Sequence, residues 1–305
     1  MKILKNFCLF LGMAVLAAGF VACSDDDDDN KGGSFVEPAY ESESAKYDVT
    51  SDNGNISSLE LTASGNYIVT TRNNFYAPER AGFVMNTRGA SNKIICGKFT
   101  KVSENEYKLE GFGTVVINGK GDAVSLEITP LNGESFSVSA EKAETVEESE
   151  KTSKICRTWS FSSIYVQMKY DGVKAIDNEY KMETFEEDFL KDMKNFCRKM
   201  GATEAELKEM DAEDFIDVEE IPEQLIITKS GTYMMVYSND VLSVSTWKWE
   251  NESKGIIRHD WNYDEEESGL ITVGFRGSQL TLTIEEEDPE EGVEYKFIYY
   301  LNEVK

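Results

Sequence analysis

Residues 279–285 read Gln-Leu-Thr-Leu-Thr-Ile-Glu, and their apolar and polar side chains alternate without a break. Successive side chains of a β-strand point to opposite faces, so Leu280, Leu282 and Ile284 share one face and the two threonines the other. One-sided burial of this kind is typical of antiparallel sheets. The stretch therefore predicts an antiparallel strand with one face in a core.

The same pattern recurs through the second half of the chain. Val293, Tyr295, Phe297, Tyr299 and Leu301 form another single apolar face. The complete set of predicted strands covers residues 159–170, 224–228, 232–237, 241–249, 256–263, 270–275, 279–285 and 293–301. Eight such strands in meander order fit an up-and-down barrel.

A helical insertion is expected between the first two of these strands, over residues 178–214. Phe189, Met193, Phe196 and Cys197 recur at intervals of three and four, which is one apolar face of a helix. We interpret that face as a packing surface for the barrel domain.

The N-terminal half also reads as strands. Short apolar and polar alternations in residues 36–141 are separated by turn signals such as Asn118-Gly119 and Asn132-Gly133, which favours a sandwich or a barrel. Residues 142–153 lack an apolar period and are interpreted as a linker. The predicted fold class is mainly β: two antiparallel β domains, with residues 154–305 forming an eight-stranded up-and-down barrel.

One segment is repeated in the two halves. Residues 59–67 and 225–233 share the skeleton Leu-x-x-Thr-x-Ser-Gly-x-Tyr, which suits a hairpin whose glycine takes a positive φ. Two explanations remain open, because hairpins converge on such turns and because the two domains can be diverged copies of one unit.

The second domain resembles the lipocalin-like domains of Bacteroidales lipoproteins. The resemblance rests on Trp159, the hairpin at residues 225–233, the Trp247-Lys248-Trp249 segment and the last two strands, and it covers about residues 152–305 without the insertion. It implies a barrel whose mouth holds a small apolar ligand. Small eight-stranded barrels can equally be filled by their own side chains.

The N-terminus predicts secretion and a lipid anchor. Lys2 and Lys5 precede an apolar run that ends before Cys23, so residues 1–22 read as a signal peptide. The cut site resembles a bacterial lipobox, which implies lipidation of Cys23. Residues 23–35 form an acidic flexible tether, and its Ser-Asp-Asp-Asp-Asp run at 24–28 resembles the surface-export signal of Bacteroidetes-type lipoproteins. The expected location is the outer membrane, facing outward, with membrane contact through the lipid only.

Composition narrows the functional classes. The 305 residues carry a net charge of −26, which argues against nucleic acid as a partner. The chain has one histidine, His259, and no phosphate-binding loop or nucleophile-elbow motif. No CxxC pair occurs, so buried thiols are favoured over a Cys156–Cys197 disulfide. We therefore expect no enzyme and no metal or other cofactor apart from the lipid.

Two groups of side chains are candidate sites. Successive loops of a meander alternate between the barrel ends, which places an acidic rim at one end. The candidate rim residues are Asp264, Glu265, Glu266, Glu286, Glu287 and Asp288. This rim could collect Ca²⁺ or a cationic partner, or it could simply keep the surface solvated. Trp247, Trp249 and Trp261 are candidate aromatic platforms for a glycan.

The leading hypothesis is a non-enzymatic surface lipoprotein that binds a small apolar ligand or an envelope or host component. The alternatives are a structural or assembly lipoprotein with a filled barrel, and a glycan-binding accessory protein. The sequence leaves the oligomeric state open.

Overall fold

A computed structural model describes residues 45–51, 55–62, 65–72, 84–86, 93–119, 121–170, 172–216, 221–238, 242–261, 268–288 and 292–304. The predicted signal peptide, the predicted lipidation site Cys23 and the predicted tether lie outside these residues.

The N-terminal half folds into a closed antiparallel barrel. Its described strands are β1 (Ala45–Val49), β2 (Ile56–Leu61), β3 (Asn66–Thr71), β4 (Val84–Asn86), β5 (Lys93–Lys101), β6 (Glu106–Leu109), β7 (Gly113–Gly119), β8 (Ala123–Pro130) and β9 (Phe136–Lys142). Strand β1 pairs with both β2 and β9, which closes an eight-stranded barrel. The short strand β4 pairs with β5. Of the two expected architectures, sandwich and barrel, the structure is the barrel.

The C-terminal half repeats this architecture. Its described strands are β10 (Thr158–Tyr170), β11 (Val173–Lys181), β12 (Pro222–Ile227), β13 (Thr232–Tyr237), β14 (Leu242–Asn251), β15 (Ile256–Trp261), β16 (Ser268–Arg276), β17 (Gln279–Asp288) and β18 (Val293–Glu303). Strand β10 pairs with β12 and with β18, so this barrel is also closed by its first strand. The predicted fold class, with all eight of the strands expected here, is confirmed.

Strand β11 is an addition that the sequence analysis assigned in part to the insertion. It pairs with the second half of β10 as far as Lys181, so the helical elements begin at Met182 and not at residue 178. The face that carries the buried Ile176 and Tyr180 also carries the exposed Asn178, and this polar residue hides the strand alternation.

The helical insertion packs against the inner face of the barrel wall. A 3₁₀ turn (Met182–Thr184) leads into α2 (Phe185–Lys199), followed by α3 (Glu204–Glu209) and a second 3₁₀ turn (Ala212–Asp214). The apolar face of α2 is buried as predicted, with Phe189 and Met193 fully covered. These side chains share a core with Val166 of β10 and Phe297 of β18.

The linker contains a helix that the sequence analysis did not predict. Helix α1 spans Glu150–Ile155 and begins at Ser149, whose hydroxyl accepts a hydrogen bond from the Thr152 amide. A six-residue helix makes less than two turns, which is too short for a 3.6-residue period to emerge.

The two barrels pack against each other through an apolar contact. Ile68 and Cys96 lie on the outer face of the first barrel, and Met234 and Val244 lie on the outer face of the second. All four belong to one buried cluster. The outer faces of these strands are therefore part of a core that joins the two barrels.

The repeated sequence segment forms the same hairpin in both barrels. Gly65 has φ 79° and Gly231 has φ 83°, and the amide of each donates to the carbonyl of the preceding Thr62 or Thr228 at 3.1 and 3.2 Å. A register shift interrupts β2–β3 between Ile56 and Ser58 and β12–β13 between Pro222 and Gln224, positions that lie at the same distance from the turn. The two hairpins therefore share the same turn, the same strand register and the same position of the β-bulge.

Two glycines in tight turns give a matched test of this backbone. Both have positive φ, +72° at Gly255 and +66° at Gly277. A Cβ added at Gly255 would lie 2.3 Å from the Val273 carbonyl oxygen, whereas a Cβ added at Gly277 would have no atom within 4 Å. We expect Gly277→Ala to lower the free energy of unfolding by about 1–2 kcal/mol, through φ strain alone. Gly255→Ala should cost about 3 kcal/mol or more, because overpacking adds to the strain.

Urea denaturation of both variants measures the difference. Equal losses of stability would contradict the close approach of the 252–255 turn to β16.

Candidate functional site

The inward face of the second barrel carries a group of polar side chains. Strand alternation places Ser243 and Ser245 on the same face of β14 as Trp247, and His259 on the same face of β15 as Ile257. All of these are buried. Together with Tyr233 of β13, the two serines and His259 form what we call the polar layer.

Tyr233 and His259 are the centre of the polar layer. Their rings stack with centroids 5.8 Å apart and planes inclined by 21°. Gly269, directly across from His259 in the β15–β16 ladder, makes this possible, because a Cβ there would lie 2.6 Å from His259 Nε2. Ser245 faces Tyr233 in the ladder and donates a hydrogen bond to its carbonyl oxygen at 3.3 Å.

The Tyr233 hydroxyl has no hydrogen-bond partner among the described residues, although the atom is fully buried. A buried polar group without a partner costs about 1–3 kcal/mol, and most such groups in folded proteins are satisfied. Burial, together with the neighbouring phenols of Tyr237 and Tyr299, raises the pKa of Tyr233. Burial also raises the pKa of Tyr299 to about 12. The phenols of Tyr233 and Tyr299 therefore remain protonated and can donate hydrogen bonds at neutral pH.

The linker covers one end of this barrel. The Trp159 indole donates to the Ile155 carbonyl oxygen at 2.9 Å, and the Trp249 indole donates to Thr152 Oγ1 at 2.9 Å. Lys151 reaches the carbonyl oxygens of the 252–255 turn. Ile155 itself is buried in the barrel core. The helical insertion packs in a second core cluster of the barrel. Tyr233 belongs to the cluster at the linker end, and Tyr299 packs against both clusters.

The predicted tryptophan platforms lie in different places. Trp247 is only 3% exposed and its indole donates to the Thr228 carbonyl oxygen at 2.9 Å. Trp249 is half-buried and meets Trp247 edge to face, with ring centroids 5.7 Å apart. Both indoles therefore belong to the barrel core. Trp261 ends β15, and its side chain is outside the described part.

Most side chains of the predicted acidic rim lie outside the described part of the chain. Asp264, Glu265 and Glu266 lie outside the described residues, and for Glu286 and Asp288 only the backbone of β17 is described. Glu287 is exposed and lines a groove of about 370 Å³ on the outer face of the barrel. The cations of that groove are already paired, Lys169 with Glu294 at 2.6 Å and Lys296 with Glu285 at 2.5 Å.

The remaining predictions concern metals, thiols and membrane spans. In the described ranges, no group of three or more His, Cys, Asp or Glu side chains is arranged to hold a metal ion. No disulfide joins Cys156 to Cys197. Among the helices within those ranges, none has the length and apolar character needed to cross a membrane.

The polar layer is not among the sites predicted from the sequence. In the sequence, Tyr233 is the last residue of the repeated hairpin segment, and His259 is the one histidine of the chain. The available signal was the alternation in β14, where Ser243 and Ser245 continue the inward face of Trp247 and Trp249 with small polar side chains.

No protein-family model matches the chain, and no curated protein matches it in sequence. The architecture is a pair of closed eight-stranded antiparallel barrels, which fit a lipocalin-like binding fold.

The equivalent tyrosines of the two hairpins provide a matched test of the polar layer. Tyr67 Oη donates to the Glu110 carbonyl oxygen at 2.7 Å, whereas Tyr233 Oη has no partner in the described part of the chain. In protein refolded from urea, Tyr67→Phe should lower the free energy of unfolding by about 1 kcal/mol, because it removes a hydrogen bond. Tyr233→Phe should leave that energy unchanged or raise it by about 1 kcal/mol, because it removes an unsatisfied group.

Chemical denaturation of the two variants and the wild type tests whether the Tyr233 hydroxyl has a hydrogen-bond partner within the protein. A loss of stability in Tyr233→Phe as large as that in Tyr67→Phe would show that the Tyr233 hydroxyl is satisfied within the protein.

Proposed function

We propose that this protein is a lipid-anchored outer-membrane lipoprotein that is displayed at the cell surface and binds a small molecule inside its second barrel without catalysing a reaction. The ligand is a mainly apolar molecule that carries one hydrogen-bonding group. The proposal combines the predicted anchor with the geometry of the polar layer.

The Tyr233 hydroxyl is the single observation that carries the binding proposal. It is a protonated donor, fully buried and aimed into an enclosed barrel, and it lacks a partner among the described residues. A ligand atom that accepts this hydrogen bond would remove the cost of leaving the group unsatisfied. Ligand pockets are commonly apolar with a few convergent polar groups, and the Tyr233 hydroxyl beside an apolar cluster has this character.

A filled barrel with a structural or assembly role is the second candidate. Its support is the size of the inward side chains, since Trp159, Phe161, Trp247 and Leu280 all belong to one buried cluster. Eight strands enclose a space that side chains can fill or that can hold one small ligand. The two candidates thus differ in whether the Tyr233 hydroxyl meets another molecule.

The N-terminal residues support the location. Cys23 follows an apolar leader, and five aspartates begin two residues later. Lipid chains on Cys23 would hold the protein at the membrane, since each buried CH₂ contributes about 0.8 kcal/mol. The acidic tether would hold the barrels away from anionic lipid head groups.

Native mass spectrometry tests the binding proposal. Protein isolated from its own host should retain a non-covalent small molecule, and Tyr233→Phe isolated in the same way should retain at least about tenfold less, the equivalent of one lost hydrogen bond. Tyr67→Phe is the control and should retain the wild-type amount. An empty wild-type barrel in repeated preparations would support the filled-barrel candidate and contradict ligand binding.

Metabolic labelling with an alkyne fatty acid tests the anchor. The wild type should be labelled, Cys23→Ala should not, and Cys156→Ala should be labelled as strongly as the wild type.

Protease added to intact cells should remove the wild-type protein. Labelling of Cys23→Ala would contradict the lipid site, and protection from protease would contradict surface display.

A further inference from the structure

The two barrels contact each other through equivalent strands. The shared hairpin and bulge align β2 and β3 of the first barrel with β12 and β13 of the second, and β5 aligns with β14 as the next strand in each meander. Ile68 of β3 and Met234 of β13 are equivalent, and both lie in the cluster between the barrels. Cys96 of β5 and Val244 of β14 are a second equivalent pair in that cluster.

An interface built from the same patch on both partners is the hallmark of an isologous, twofold dimer. The chain therefore has the form of a dimer of barrels within one polypeptide. Its two faces are similar but not identical, and the differences between them determine how they fit together.

The largest difference is Glu60, which stands where the second barrel has Ile226. Glu60 is only 2% exposed. Its carboxylate accepts hydrogen bonds from three hydroxyl groups of the other barrel: Thr228 Oγ1 at 2.9 Å, Ser230 Oγ at 2.6 Å and Thr232 Oγ1. A buried carboxylate is tolerated only where donors of this kind replace water.

The equivalent threonine of the first barrel makes a hydrogen bond within its own turn. Thr62 Oγ1 donates to the Asn66 carbonyl oxygen at 3.1 Å. The matching hydroxyl, Thr228 Oγ1, donates to Glu60 of the other barrel. Pairing two copies of the second barrel would place Ile226 against these hydroxyl groups and leave them without Glu60. The pair Glu60 and Ile226 therefore favours the pairing of unlike barrels.

We propose that the outer face of β12, β13 and β14 is a docking surface for a barrel of the same kind, which in this chain is the first barrel. Glu60 is the positioning residue that selects this partner and holds the two barrels together as one rigid body. The consequence is that the second barrel keeps a fixed orientation relative to the anchored half of the chain. This proposal holds whether or not the second barrel binds a ligand.

Backbone ¹⁵N relaxation of the full chain measures the coupling directly. In the wild type both barrels should tumble with one rotational correlation time. In Glu60→Ala the correlation times should fall towards that of a single barrel, roughly half, because each barrel is about half of the folded mass. Glu127→Ala, at an exposed position of β8, is the control and should tumble as the wild type does.

Thr232→Val provides a second variant if Glu60→Ala does not fold. It removes one donor while keeping the side-chain shape, and it should lower the correlation times in the same direction by a smaller amount. A concentration-dependent dimer of either variant would also support the proposal, because it would show the released faces pairing between chains. Unchanged correlation times in both variants, at a monomeric mass, would overturn it.

Discussion

Each barrel depends on its first strand, because that strand pairs along both of its edges and so joins the start of the sheet to its last strand. In the second barrel, β10 pairs with β18 along most of its length, with β12 near its start and with β11 beyond that. This arrangement closes the eight-stranded sheet, so that its strand edges, which would otherwise invite aggregation, are paired within the barrel, and β11 is left as an added strand. Closure also gives every strand an enclosed face and an outer face, and this determines which positions suit apolar side chains.

The enclosed faces follow from closure in a consistent way. Indole groups are placed where their N–H groups find carbonyl or hydroxyl oxygens, as with Trp159, Trp247 and Trp249. The linker covers one end of the barrel and the helical insertion packs in a second core cluster. Tyr233 departs from this pattern, because its ring is packed and its hydroxyl is left without a partner in the described structure. That departure is why the proposed function centres on this residue.

Period-two alternation was sufficient to predict the strands, as in residues 279–285, because a closed sheet has one enclosed face. It failed for β11, where the exposed Asn178 interrupts the buried face, and for α1, which is too short to show a helical period. Glu60 could not be recognised as buried, because a carboxylate in a strand reads as solvent-facing. Its partners lie 168 to 172 residues further along the chain. The polar layer could have been predicted in part, since Ser243 and Ser245 lie on the same strand face as Trp247. The stacking of its rings could not, because it depends on the pairing of β15 with Gly269 of β16.

A crystal structure of protein purified from its own host tests the central claim most directly, because the interior around Tyr233 would be seen at atomic detail. The account predicts density for a bound small molecule with a polar atom about 2.6–3.0 Å from Tyr233 Oη. A Tyr233 hydroxyl bonded to another side chain, with the space around it filled by the protein's own atoms, would contradict ligand binding and favour a structural barrel.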